Sequence, residues 1–491
     1  MPATATATEF ETVIGLEVHS QLITKSKMFC ACSADYSGAE PNTHVCPVCL
    51  GMPGVLPVIN ERAIEFITMT GLALNCKIAE FSKFDRKNYH YPDQMKGYQI
   101  SQYDLPVCQG GWLDVEVEGE MQHFGITRVH MEEDTARLVH RVDSATGETY
   151  SLVDVNRSGT PLMEIVSEPD MRTPADARAY LVRLRQILRY IGVSHANMEE
   201  GNFRCDANVS LRLWGAAEFG TKVEVKNMNS FRSVYDAIAY EQVRQAEILR
   251  SGGRIIQETR GWVDERSETV SQRTKEDAND YRYFPDPDLP PLKLGRTFVD
   301  EMRERLPALP HERETRFEAL GLSTYEAVTL AESRDRADYF DALMQAIAGD
   351  PGRGAKLAAN WVLGEVGRWC NTASREIAGF PVPATELAGL IQMVEAGAVT
   401  GQVAKDVFDR MVETGQSAAA IVESQGLAQI SGSDELTALV VKAIKANPKA
   451  VADYRAGKDA SIKFLMGQVM RETRGRANPA VVQQLLVEAM A

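Results

Sequence analysis

Apolar and polar positions repeat at two periods along this chain, and the change from one to the other divides it. The stretch 10–22, FETVIGLEVHSQL, alternates as a β-strand, with Val13, Ile14, Leu16 and Val18 as strand formers. Residues two apart share a strand face, so Glu17 and His19 project together, opposite Leu16 and Val18. Residues 112–129 alternate on both sides of Gly119-Glu120 and predict a hairpin. Strands are also expected over 151–155, 162–166 and 203–214. In the last of these Arg204, Asp206, Asn208, Ser210 and Arg212 share one face, while Phe203, Cys205, Ala207, Val209, Leu211 and Leu213 share the other; 221–227 is expected to pair with it. Helical spacing appears after an Asn60 cap, after a Thr173 cap followed by Pro174 and ended by Gly192, and from about Asn229 to Arg250. The segment 83–104 has no clean period and reads as a polar, tyrosine-rich loop.

From about residue 297 the pattern turns helical. Helices are expected over 300–305, 310–320, 323–348, 354–372, 385–396, 400–413, 417–423 and 434–446, after a Pro- and Asp-rich closure at 277–292. An α+β fold follows: a mixed or antiparallel sheet domain, then helices. At 491 residues the chain is too long for one core.

Composition narrows the functions. A net charge of −15 argues against a surface coated for nucleic acid. The sign reverses locally: between Lys442 and Arg476 nine Lys or Arg face three acids, which reads as a nucleic-acid contact surface. No apolar run reaches a membrane span, and residues 1–9 carry neither a basic region nor an apolar core. They read as a disordered lead to a cytoplasmic protein, a compartment in which the eight cysteines are not expected to form disulfides. Four of them fall in two close pairs, Cys30/Cys32 and Cys46/Cys49, with Gly51 following; that spacing fits a closed, structural Cys₄ zinc site.

Glu17 and His19 on one strand face are half of a divalent-metal site, half of an acid/base pair, or plain solvated surface, which an isolated polar pair usually is. His130-Met131-Glu132-Glu133-Asp134 ends the hairpin, and Glu164 sits alone inside an apolar strand, where an unpaired carboxylate is costly. Glu17, His19, Glu133 and Glu164, from separate strands or strand ends, make a candidate site for Mg²⁺ shared with nucleotide phosphates. Lys83, Arg86 and Lys87 lie among tyrosines in the 83–104 loop, which holds phosphate and lines a polar passage, or else is ordinary surface. No phosphate-loop, kinase or dinucleotide fingerprint occurs.

The motifs VIGLEVHSQL, CPVCLGMPGVLPVIN, KFDRKNYHYPD, HMEEDTARL, DVNRSGTPLMEIVSEPDMR, MEEGNFRCDANVS, DYRYFPDPDLPPL and FLMGQVMRETRGRANP occur in order from about Phe10 to the C-terminus. Together they resemble the B subunits of the tRNA-dependent aspartyl/glutamyl-tRNA amidotransferases. The resemblance implies a cradle domain over 10–295, a helical domain over 296–410 and an α-helical, YqeY-type tail over 411–491 that binds tRNA; Lys463, Arg471, Arg474 and Arg476 of the basic stretch are the candidate contacts. It implies a glutamine-dependent ligase working as a heterotrimer with an amidase-type A subunit and a C subunit. ATP and Mg²⁺ would serve to phosphorylate the side chain of misacylated Glu-tRNA(Gln) or Asp-tRNA(Asn), which ammonia from the A subunit then amidates. The family's metal site falls on Glu17, His19, Glu133 and Glu164, with Lys87 at the mouth of an ammonia tunnel and Lys87 and Glu133 catalytic. Only some members carry the zinc knuckle; here all four cysteines are present. The alternative is a non-catalytic, tRNA-binding scaffold subunit of the same complex.

Overall fold

The structure is a computed structural model that describes residues 9–274, 280–430, 433–456, 458 and 460–490. The expected lead at 1–9 lies outside the described residues except for Glu9, which takes a hydrogen bond from Trp214 N and an ion pair from Arg250. Two compact units divide the chain, 1–309 and 310–491.

The first unit is built on one nine-stranded sheet. Its strands are β1 (Phe10–Gln21), β2 (Lys77–Ile78), β3 (Cys108–Val117), β4 (Glu120–Glu133), β5 (Pro161–Ser167), β6 (Phe203–Leu213), β7 (Val223–Met228), β8 (Glu258–Val263) and β9 (Glu268–Thr274). They lie in the order β9-β8-β7-β6-β1-β5-β4-β3-β2, antiparallel except between β7 and β8. The opening strand of the chain is thus the centre of the sheet. Its Ile14, Leu16 and Val18 are at most 1 % exposed and join an apolar core with α2 (Pro174–Tyr190) and α3 (Phe231–Arg250). The unit also holds α1 (Glu61–Ala73) and α4 (Arg296–Glu304).

Local chemistry explains most boundaries. Asn60 caps α1 by accepting from Ala63 N, and Thr173 and Asp176 close a reciprocal capping box at the start of α2. The β3–β4 hairpin turns at Glu118-Gly119, one residue earlier than the pattern suggests. Both have positive φ (51° and 89°), as a type I′ turn requires, and Glu120 already pairs with Val117. The segment 83–104 is not a simple loop: Asp85–Asn88 and Tyr98–Ser101 are short strands that join Phe284–Pro285 in a small sheet. Four-residue strands are too short to show a period. Arg86 ties this sheet down through Asp286 and Asp288, each at 2.8 Å.

The first unit runs past the expected boundary at 295. Met302 of α4 is buried in its core and Arg305 pairs with Glu65 of α1. The second unit is helical: α5 (Pro310–Ala319), α6 (Thr324–Leu330), α7 (Arg334–Ala346), α8 (Pro351–Trp361), α9 (Gly367–Ala373), α10 (Ala384–Glu395), α11 (Gly401–Thr414), α12 (Ala418–Gln425), α13 (Ser433–Ala446), α14 (Pro448–Arg455), α15 (Ala460–Glu472) and α16 (Pro479–Met490). The single helix expected over 323–348 is two, because Ser333 caps α7 by accepting from Arg336 N. The helix expected over 354–372 passes through a π turn, Val362–Val366. Within this unit Leu436, Val440, Leu465, Val469, Val482 and Leu486 gather a core of their own.

Candidate functional site

Antiparallel register assembles the site. His19 of β1 stands opposite Glu164 of β5 on one side and Arg204 of β6 on the other, and Glu164 stands opposite His130 of β4. All four side chains therefore rise from one row on one sheet face. Glu132 lies two residues beyond His130 and shares that face. His19 Nε2 is 3.4 Å from Glu164 Oε2 and 3.8 Å from Glu132 Oε2. His130 Nε2 is 3.3 Å from Glu164 Oε2 and 3.5 Å from Glu132 Oε1. His19, Glu132 and Glu164 each offer an atom within 4.8 Å of the other two, and a donor set of two carboxylates and one imidazole fits a divalent cation.

The sequence-predicted metal set thus meets only in part. His19 and Glu164 are together, but the third group at their side is Glu132. Glu133 is one residue on, so it points the other way; its carboxylate accepts from Ile100 N at 2.9 Å and pairs with Lys96. Glu17 lies on the site's face, one step along β1, and accepts from Asn208 at 2.9 Å. Burial and the nearby Glu164 charge raise its pKa. The signal for Glu132 was in the sequence: His130 and Glu132 are two apart, as Glu17 and His19 are.

Charge here is buried and paired. Burial works against the charged form of His130, but Glu164 and Glu132 raise it to about 9. Burial likewise opposes ionisation of Glu164, yet the two imidazoles hold it well below the usual carboxylate range. Lys87 loses hydration by burial, and Glu132, 3.9 Å away, keeps it a cation above the ordinary lysine range. Gln99 Nε2 and Ser101 Oγ also donate to Glu132, at 3.2 and 3.0 Å. Lys87 opens on a cleft of about 380 Å³ that Tyr89, Thr135, Glu224, Lys226 and Tyr281 also line. Lys226 in turn pairs with Asp206 and Glu224. Among the polar row expected on β6, Arg204 closes the far end by donating at 2.9 Å to buried Asp134, which also accepts from Gln21.

The four cysteines converge. Their sulfurs lie within 4.8 Å of one another, and Cys46 Sγ and Cys49 Sγ are 3.9 Å apart. Four thiolates at 2.3 Å around a tetrahedral Zn²⁺ stand about 3.8 Å apart, so the cluster fits that ion. Gly51 has φ +64°, and a Cβ there would come within 2.9 Å of Lys96 Cα, so the turn after the second pair needs glycine. The loop between the pairs braces the segment before β5. Asn42 donates to Val153 O and accepts from Val155 N, and Asn156 donates to Glu40 O.

In the second unit Lys463 and Arg471 are exposed on α15, and Arg474 is exposed just beyond it. Arg476 differs, donating to Gly426 O at 3.0 Å and Thr473 O at 3.2 Å and so bracing the fold.

Two family profiles match the chain: "GatB/GatE catalytic domain" over residues 12–300 and "GatB domain" over residues 338–490. The second spans the expected boundary at 410. Proteins named as the B subunit of an aspartyl/glutamyl-tRNA(Asn/Gln) amidotransferase are similar over the whole length. That of Dehalococcoides mccartyi strain CBDB1 is 57 % identical over 98 % of this chain and 99 % of its own. Those of Thermomicrobium roseum and Carboxydothermus hydrogenoformans are 54 % and 51 % identical, each over 98 % of this chain and 99 % of its own. With both units matched and half the residues shared along the full length, the chain belongs to the family of aspartyl/glutamyl-tRNA(Asn/Gln) amidotransferase B subunits.

Proposed function

We propose that this B subunit activates the side-chain carboxylate of Glu carried by tRNA(Gln), or Asp carried by tRNA(Asn), with ATP. A carboxylate is a poor electrophile because its leaving group is oxide-like. Its oxygen attacks the γ-phosphorus of ATP, and ADP departs. Ammonia then attacks the acyl carbon, the C–O bond breaks, phosphate leaves and nitrogen gives up a proton, leaving Gln or Asn on the tRNA. His19, Glu132 and Glu164 are the residues that would hold Mg²⁺, which when bound neutralises phosphate charge. Lys87 and Lys226 supply fixed positive charge at the cleft, where the acyl end and the phosphates would lie. The buried strand row holds these groups before substrate arrives, so little reorganisation accompanies transfer.

Ammonia comes from an A subunit in a heterotrimer with a C subunit, since no glutaminase nucleophile pattern is evident in this chain. Lys87, beside the cleft, suits the mouth of its path. Cys30, Cys32, Cys46 and Cys49 hold structural Zn²⁺. Lys463, Arg471 and Arg474 meet tRNA phosphates. No helix among the described residues is long and apolar enough to cross a membrane, and the assignment to translation makes the cytoplasm its place.

The observation that carries this reading is the buried carboxylate–imidazole cluster beside the cleft. A scaffold that only binds tRNA has no use for it. The deciding assay purifies the chain with its A and C partners and measures ATP-dependent amidation of each charged tRNA. Amidation at the wild-type rate by Glu164→Gln would sink the catalytic reading and leave the scaffold.

A further inference from the structure

We infer that His130 is a positioning residue of this site: its Nε2–H holds Glu132 and Glu164 in the orientation in which they and His19 take a divalent cation. The inference rests on the metal reading above. His130 is the deeper of the two imidazoles, its side chain 3 % exposed against 21 % for His19. Its Nε2 faces both carboxylates, at 3.3 Å from Glu164 and 3.5 Å from Glu132. An ionised carboxylate only accepts, so the nitrogen between two of them carries hydrogen whatever state the other nitrogen adopts. That other nitrogen, Nδ1, lies 3.4 Å from Arg128 Nε.

The carboxylates are thus bracketed, by His19 on the more exposed side and by His130 on the buried side. They do not depend on His130 equally. Glu132 has Ser101, Gln99 and Lys87 as well. Among the described residues, the polar partners of the Glu164 carboxylate are the two imidazoles alone. Once His19 turns its Nε2 lone pair to a metal, it no longer donates to Glu164, and His130 becomes the group that aims that carboxylate. Outer groups of this kind fix the direction of a ligand's lone pairs and set affinity without touching the ion.

The test uses the chain assembled with its partners, as wild type, His130→Ala, His130→Gln and His19→Ala. Mn²⁺ binding is followed by electron paramagnetic resonance with Mg²⁺ as competitor, beside metal-free melting and tRNA binding. His130→Ala is expected to weaken Mn²⁺ binding by about 10- to 100-fold, the range for losing an outer hydrogen bond to a metal ligand. His130→Gln places an amide N–H near Nε2 and is expected to recover most of that loss, with unchanged melting and tRNA binding. High Mg²⁺ restores the turnover of His130→Ala if its role is positioning. Unaltered Mn²⁺ binding by His130→Ala overturns the inference. A folded His130→Gln that binds as poorly as the alanine variant overturns it too, by making His130 a ligand. Wild-type affinity in His19→Ala would instead bring down the metal reading itself, a separate outcome.

Discussion

The sheet face of the first unit and α15 of the second both present charge, in opposite ways. On the sheet, His130, Glu132 and Glu164 are 2, 3 and 7 % exposed, and each meets an opposite charge within 4 Å. On and just beyond α15, Lys463, Arg471 and Arg474 are exposed and have no acidic partner among the described residues. Buried charges interact strongly and hold fixed directions, which suits transfer of a phosphoryl group. Exposed cations cost little to maintain, remain free for phosphates and are weakened by salt. On the proposed function, one chain separates chemistry from grip by how far it desolvates its charges.

The sharpest way to break this contrast is at Glu164. Glu164→Gln and Glu132→Gln are expected to slow amidation by at least about 10³-fold, roughly 4 kcal/mol in the barrier, while tRNA affinity stays put. Glu133→Gln removes the charge that pairs with Lys96 and keeps an oxygen to accept from Ile100 N, so its main cost should be folding stability, about 1–3 kcal/mol. Comparing rate with melting temperature across the three variants decides which glutamate belongs to the metal. A Glu133→Gln variant as inactive as Glu132→Gln, yet equally stable to wild type, would return Glu133 to the site.

Next in size is the cysteine cluster. Cys46→Ser should release zinc and lower stability by several kcal/mol, because closed zinc sites contribute directly to folding. Elemental analysis of wild type should find one equivalent per chain; less than about half would contradict the closed site. Charge reversal at Arg471 and Arg474 should weaken tRNA binding about 10- to 100-fold, lower the salt slope by about one per lost contact, and spare kcat at saturating tRNA. Arg476→Glu should instead lower melting temperature, since that guanidinium holds Gly426 O.

The smallest effect concerns a surface charge of the second unit. Lys356 and the cap residue Ser323 lower Glu326 to about 2. A depressed carboxylate stabilises above its unfolded pKa, near 4.5, and that contribution fades as pH falls toward 2. Solvent screening limits it to under about 1 kcal/mol. The stability gap between wild type and Glu326→Gln, measured by chemical unfolding at pH 7 and pH 3, should narrow at the lower pH.

Strand faces and helix caps were legible because they depend on neighbours in sequence. The period-2 alternation of β6 and the Asn60 and Thr173 caps lie where local chemistry puts them. The turn at Glu118-Gly119, the break at Ser333 and the small sheet at 85–101 were missed because each hangs on one residue's backbone angle, one hydrogen bond or pairing with a distant strand.

By itself, then, the sequence determined that Glu17 and His19 share a face, that four cysteines fall in two close pairs, and that cations gather near the C-terminus. These are properties of spacing and composition. Only the tertiary structure decided that Glu132 rather than Glu133 stands beside His19 and Glu164. That choice depends on the register between β1, β5 and β4, where a shift of one residue sends a side chain to the opposite face. The same register set His130 beside Glu164, while a contact distant in sequence gave Arg476 a structural task that its neighbours do not share.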